Sequence, residues 1–319
     1  MLKTDPEHTL VHWIDHRMNL QNFRLIAAPF TPMKADGGLN LALVGDQAKY
    51  LVSNGVRGVF LAGTSGEGQS LTLDERTALI ETWAGDVMRP KLQMFVHVGH
   101  NCRDDAISLA RHAASVGADA IAVHAASWFK QQTLDGLTEY CVPIAGAASG
   151  LPFYLYDIPE ITGVNLSSSR FLADAKELIP NLAGIKYTNS DLAAVQECIQ
   201  LNKGAYDILW GTDQALLAGI AFGAAGAVGS TYNFAAQLYQ RILRALESDD
   251  WQTARAEQAR AVAMVRAIQK FNLLAALKFT MSLVGIDCGP VRPPVKNLST
   301  SEQASLRSEL ERTEALNRN

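Results

Sequence analysis

Eight short apolar or β-branched runs alternate with longer helix-period segments through roughly 230 residues, and no other feature limits the fold so tightly. The runs are Phe23–Thr31, Gly58–Thr64, Gln93–Gly99, Ala120–Ala126, Pro152–Ile158, Leu182–Thr188, Asp207–Thr212 and Gly226–Thr231, each bounded by Gly, Pro or polar residues. Between them, Leu41–Ser53 and Leu73–Asp86 read as amphipathic helices, and Asp104–Val116 places Ile107, Leu109, Ala110 and Ala113–Ala114 on one face. Thr72 and Glu75 form a capping box before the second of these. Continuous apolar character, without polar alternation, suits parallel strands covered by helices on one face and filled on the other. The count and spacing predict an α/β fold, a (β/α)8 TIM barrel.

After about Asp249 the rhythm stops. Gln252–Phe271 is a long helical pattern, Leu273–Leu283 continues it, Gly289–Pro294 breaks it, and Ser299 with Glu302 caps a last helix running to about Leu316. The expected organisation is a possible N-terminal extension over 1–17, a barrel over 18–249 and a C-terminal helical bundle over 250–319 packed on it. Met18 could be the start residue; His8, His12 and His16 would share a helix face, but read as a terminal segment rather than a metal site.

Composition narrows the class. A net charge of −4 with no basic run argues against a nucleic-acid partner. No stretch approaches the roughly 20 apolar residues of a membrane span. The first residues carry Asp5, Glu7 and Asp15 where a secretory signal would be apolar. Cys102, Cys141, Cys198 and Cys288 form no CxxC pair and read as reduced thiols, so the expected location is the cytoplasm.

In such a barrel the active site lies at the carboxyl ends of the strands. Lys186 sits inside the apolar run Leu182–Thr188, where burial disfavours its charge and would leave a neutral amine able to attack a ketone. The alternative is an outward lysine snorkelling between helices. Gly63–Gly68, with Thr64, Ser65 and exposed amides, suits a carboxylate or phosphate. Tyr156, in Tyr154–Pro159, could relay a proton or cap the core. Trp210–Gln214 and Gly229–Asn233 are polar strand ends suited to substrate hydroxyls.

As a set, the Gly-Thr-Ser-Gly-Glu loop at Gly63, the Tyr-Asp-Ile-Pro turn at Tyr156 and the Gly-Ile-Lys strand at Gly184 resemble the N-acetylneuraminate lyase and dihydrodipicolinate synthase superfamily of class I aldolases. The likeness runs from about Leu25 to about Pro294. It implies a cofactor-free and metal-free enzyme, usually a homotetramer, that forms a Schiff base with pyruvate or a related 2-oxo acid. By matching position, Lys186 would be the Schiff-base lysine, Tyr156 the catalytic tyrosine, and Thr64 and Ser65 the carboxylate ligands. Thr188, Gly211, Asp213, Gln214 and Ser230 would hold the sugar tail.

Synthase-type members carry an arginine two residues after the proline of the tyrosine turn; Ile161 stands there, as in sialic acid lyases. The expected activity is therefore retro-aldol cleavage of N-acetylneuraminate to N-acetylmannosamine and pyruvate. Two departures stand out. Gln214 replaces the glutamate usual in those lyases, which keeps open another pyruvate-dependent aldolase or dehydratase acting on a different 2-keto sugar acid. Ser127-Trp128-Phe129 replaces tyrosines that reach the neighbouring subunit's site. A metal-dependent class II aldolase would rest on His97 and His100 alone, three apart on a strand end and expected to lack a nearby carboxylate. A barrel that had lost its chemistry would have no reason to keep a buried lysine.

Overall fold

The computed structural model describes residues 20–316; the His8, His12 and His16 trio and Met18 fall outside them. Eight parallel strands, β1 (Arg24–Ala27), β2 (Gly58–Leu61), β3 (Gln93–His97), β4 (Ala120–His124), β5 (Phe153–Asp157), β6 (Leu182–Tyr187), β7 (Asp207–Trp210) and β8 (Gly226–Gly229), close in chain order into a barrel. The helices are α1 (Val44–Ser53), α2 (Leu73–Ala84), α3 (Arg103–Ser115), α4 (Leu134–Ala147), α5 (Pro159–Thr162), α6 (Ser168–Asp174), α7 (Leu192–Gln200), α8 (Leu216–Phe222) and α9 (Tyr232–Glu247). They continue with α10 (Trp251–Ile268), α11 (Leu273–Leu283) and α12 (Thr300–Thr313).

Side chains of a strand alternate between its two faces, so a strand buried on both sides serves two cores. Ile26, Phe60, Phe95, Ala122, Tyr154, Tyr156, Leu209 and Val228 fill the lumen. Their neighbours Leu25, Val59, Met94, Ile121, Leu155, Ile185 and Ile208 pack outward under the helices. This is why the strands read as mainly apolar, without polar alternation.

Each predicted run extends past the observed strand at its carboxyl end. There the ladder stops and the chain turns away: Ala62, just after β2, has φ 53°, a left-handed conformation that no strand accommodates. The residues beyond the ladders form the barrel mouth.

Both capping boxes form, Thr72 with Glu75 before α2 and Ser299 with Glu302 before α12. Two helix expectations need correction. Leu273–Leu283 does not continue the preceding helix: α10 ends at Ile268, and Asn272, with ψ 111°, separates it from α11. On α3 the buried face is Ala106, Leu109, Ala110 and Ala113; Ile107 and Ala114 lie half-buried at its edge. The α10 helix packs against α9 and α12, and Gln258 accepts a hydrogen bond from Leu217 N at 3.0 Å, joining α10 to the end of β7–α8. Cys141, Cys198 and Cys288 are buried, Cys102 is exposed, and all four are free thiols. Among the described residues no helix is long and apolar enough to cross a membrane.

Candidate active site

Strand register decides what can meet in the lumen. His124 of β4 pairs with Tyr156 of β5, and Tyr156 with Lys186 of β6, so these three side chains form one inward row on adjacent strands. Lys186 is 5% exposed, which excludes the outward, snorkelling alternative. Its Nζ lies 3.9 Å from the ring centroid of Phe60 and 3.8 Å from that of Tyr156. Burial depresses its pKa to about 7, with Asp213 pulling partly back, so much of the amine is neutral at physiological pH.

The Tyr156 hydroxyl is 3.3 Å from Thr64 Oγ1. Burial pushes its pKa up to about 12, while the hydroxyls of Thr64 and Thr188 pull it down; the unliganded side chain is a protonated phenol. Thr64 thus meets Tyr156 across the lumen, and Ser65 follows it on the same loop, half-buried.

Gly211 leads away from β7 against Thr188; a Cβ there would stand 1.9 Å from Thr188 Oγ1, so only glycine permits the approach. Asp213 opens a short turn after β7. Its Oδ2 accepts from Thr231 N at 2.9 Å and Thr231 Oγ1 at 2.6 Å, and Tyr239 backs Thr231 at 2.7 Å. Burial raises the Asp213 pKa, opposed by Thr231 and by Lys186. Gln214 and Ser230, both half-buried, flank this carboxylate in the chain or through Thr231. Every candidate from the sequence lies at the carboxyl end of the barrel.

Sequence reasoning weighed His97 only as a metal ligand and missed His124 and the place of Tyr154. His97 and His124 stack at 4.7 Å, and His97 meets Tyr156 edge-on at 5.9 Å. His97 Nδ1 lies 3.0 Å from the Ala62 carbonyl and therefore carries the proton; burial, then His124 and Arg76, keep its pKa low. A histidine ending an apolar strand run was the available signal for His124. Tyr154 also points inward, but at the opposite end of the barrel, where its hydroxyl donates to Asp207 at 2.7 Å. Asp207 in turn pairs with Arg24 at 2.6 Å. Contrary to expectation, a carboxylate does stand near His100: Asp105, at 3.4 Å. His97 nevertheless turns into the lumen, and among the described residues no three His, Cys, Asp or Glu side chains converge as a metal site.

The closed (β/α)8 barrel holds a buried lysine of depressed pKa at the mouth of its lumen, and the relatives that follow place the chain among lyases acting on carbon–carbon bonds. Residues 21–313 match the Dihydrodipicolinate synthetase family, and the chain belongs to it. It is 36% identical over 290 residues to the N-acetylneuraminate lyase of Rattus norvegicus, covering 90% of this chain and 91% of that protein. The N-acetylneuraminate lyase of Xenopus tropicalis is 38% identical over 297 residues, covering 90% of this chain and 95% of its own. Among solved structures, Proteus mirabilis N-acetylneuraminate lyase superposes with a TM-score of 0.88 at 35% identity, over 91% of this chain and 98% of that one.

Proposed function

We propose that this enzyme cleaves N-acetylneuraminate to N-acetylmannosamine and pyruvate through a Schiff base on Lys186. The observation that carries the reading is the buried, largely neutral Lys186 amine held against the Tyr156 ring at the mouth of the barrel. In the open-chain substrate, Nζ attacks the C2 ketone, water leaves, and a protonated imine forms. Thr64, Ser65 and the loop amides hold the substrate carboxylate beside Tyr156.

A phenol with a pKa near 12 is no free base. Tyr156 instead passes its proton to the substrate carboxylate as it takes the proton of the C4 hydroxyl. The C3–C4 bond then breaks, its electron pair moving through the imine to give an enamine, and N-acetylmannosamine departs. Protonation at C3 and hydrolysis release pyruvate and restore the lysine.

Thr188, Gly211, Asp213, Gln214 and Ser230 line the side of the mouth where the sugar tail would lie. Ile161, 61% exposed on α5, offers no charge to a dicarboxylate aldehyde, which supports cleavage over the synthase reaction. Gln214, lacking the charge usual at its position, supports a second reading within the class, a different 2-keto sugar acid as preferred substrate. The same reading includes a homotetramer in the cytoplasm that needs no cofactor and no metal. Trp128 and Phe129, 74% and 87% exposed at the mouth, would then face a neighbouring subunit. Also within this proposal, residues 250–319 form a helical bundle serving the barrel.

The test is pyruvate release over a panel of 2-keto sugar acids, together with borohydride reduction in the presence of pyruvate. The reduced pyruvyl adduct belongs on the peptide containing Lys186, and N-acetylneuraminate should lead the panel. Labelling elsewhere, or robust condensation of pyruvate with aspartate semialdehyde, would overturn the assignment.

A further inference from the structure

Glu67 poses a problem of charge. It lies two residues after Ser65, in a loop otherwise suited to a carboxylate, and its amide donates to Thr64 O at 3.1 Å. It is 5% exposed and sits in the left-handed region at φ 55°, as does Ala62 at the other end of the loop. Both conformations are costly for residues bearing a Cβ and persist only where the surroundings enforce them.

The surroundings do so from two sides. On the barrel side, His97 bonds Ala62 O at 3.0 Å and Thr31 bonds Gly66 O at 2.5 Å. On the other side stand α11 and the segment following it. Lys278 Nζ donates to Glu67 Oε1 at 2.9 Å, and both side chains are 2% exposed. Arg292 N donates to Oε2 at 2.9 Å. Lys278 is itself fixed by Pro290 O at 2.7 Å, while the Arg292 guanidinium is engaged by Glu75, Gly37 O and Ser70 O. The loop is thus clamped at Ala62, Gly66 and Glu67, on both sides of Thr64 and Ser65. A buried ion pair is a poor way to gain stability, but two carboxylate oxygens bound to donors from two separate segments fix a direction.

We propose that the Glu67–Lys278 pair positions the loop and cancels its charge: α11 presets the Thr64–Ser65 pocket, and Lys278 masks a carboxylate that would otherwise repel the substrate's own. This rests on the reading in which Thr64 and Ser65 bind the carboxylate of a 2-oxo acid. Lys278 and Glu67 are positioning residues; neither touches the reacting atoms.

The experiment uses the full chain and two ketones, anionic pyruvate and its neutral methyl ester, and measures the concentration giving half-maximal borohydride trapping. Lys278→Met exposes the Glu67 charge to the ligand. It should raise the value for pyruvate about tenfold and leave methyl pyruvate nearly unchanged. Adding Glu67→Gln to Lys278→Met should recover much of the pyruvate loss. Should Lys278→Met not fold, Glu67→Gln alone serves: its single amide oxygen can meet only one of the two donors, so both ketones should bind less well, but with the carboxylate gone and Lys278 still charged pyruvate should lose no more than its ester. Equal losses for both ketones in Lys278→Met, no recovery in the double variant, or a larger loss for pyruvate than for its ester in Glu67→Gln would overturn the proposal. If the unaltered protein traps no pyruvate, the catalytic reading falls and takes this proposal with it.

Discussion

Lys186→Met should abolish turnover and, at the same time, make the protein more stable. The native state holds this amine in a lumen walled by Phe60 and Tyr156, and burial lowers its pKa from 10.5 to about 7. A depression of that size corresponds to about 4–5 kcal/mol. The sign follows from proton binding. Between about pH 7 and 10.5 the unfolded chain holds the proton and the native state does not, so native stability rises with pH across that window. The cost is full below pH 7 and vanishes near 10.5.

Methionine, of similar length and uncharged, removes the cost. Urea denaturation of both proteins at pH 6, 8 and 10 should therefore show a gain of up to about 4 kcal/mol at the lowest pH, shrinking toward zero at the highest. A variant that is less stable at every pH, or one whose gain does not change with pH, would refute the picture of a desolvated amine and with it the origin of the nucleophile.

Tyr156→Phe should lower kcat by roughly 10²–10⁴-fold while pyruvate remains trappable on Lys186, because the relay is lost and the nucleophile kept; near-native turnover would make this tyrosine a core cap. Tyr154→Phe is its control: losing the bond to Asp207 should cost about 1–2 kcal/mol in denaturation and leave kcat and KM unchanged. Gly211→Ala would set a Cβ 1.9 Å from Thr188 Oγ1 and 2.8 Å from Tyr187 O, and should cut kcat/KM by about 10²-fold through displacement of that wall. For the unaltered enzyme, kcat/KM should fall about tenfold per pH unit below about 7, as Lys186 takes up a proton.

The barrel was legible because its strands are buried on both faces, so each stands out as a short apolar run, and because helix starts such as Thr72 and Ser299 carry local capping chemistry. Lys186 was legible as an exception within that pattern. What escaped depends on contacts made far along the chain. Tyr154 and Tyr156 share a strand and a face, and only closure of the barrel places one at the floor and the other at the mouth. His124 joins the site through register with Tyr156 on the next strand. Lys278 meets Glu67 across 211 positions, and helical periodicity marks it merely as one polar residue on an apolar helix. The break at Asn272 was hidden because helix-forming residues flank it on both sides.

The knot of Arg24, Asp207 and Tyr154 at the foot of the lumen, with Phe95 and Leu209 packed above it, makes the barrel a well with one opening. In the proposed reaction everything arrives and leaves by that opening, and traffic through a single door has an order. The sugar fragment lies nearest the rim and must leave first. Only then does water have a path to the carbon bound to Lys186, so hydrolysis waits on departure and pyruvate comes out last. Run backward, the same queue requires pyruvate to enter ahead of the aldehyde. The bond to Lys186 holds the pyruvyl fragment until hydrolysis, and the stopper at the far end leaves every other species no second way out.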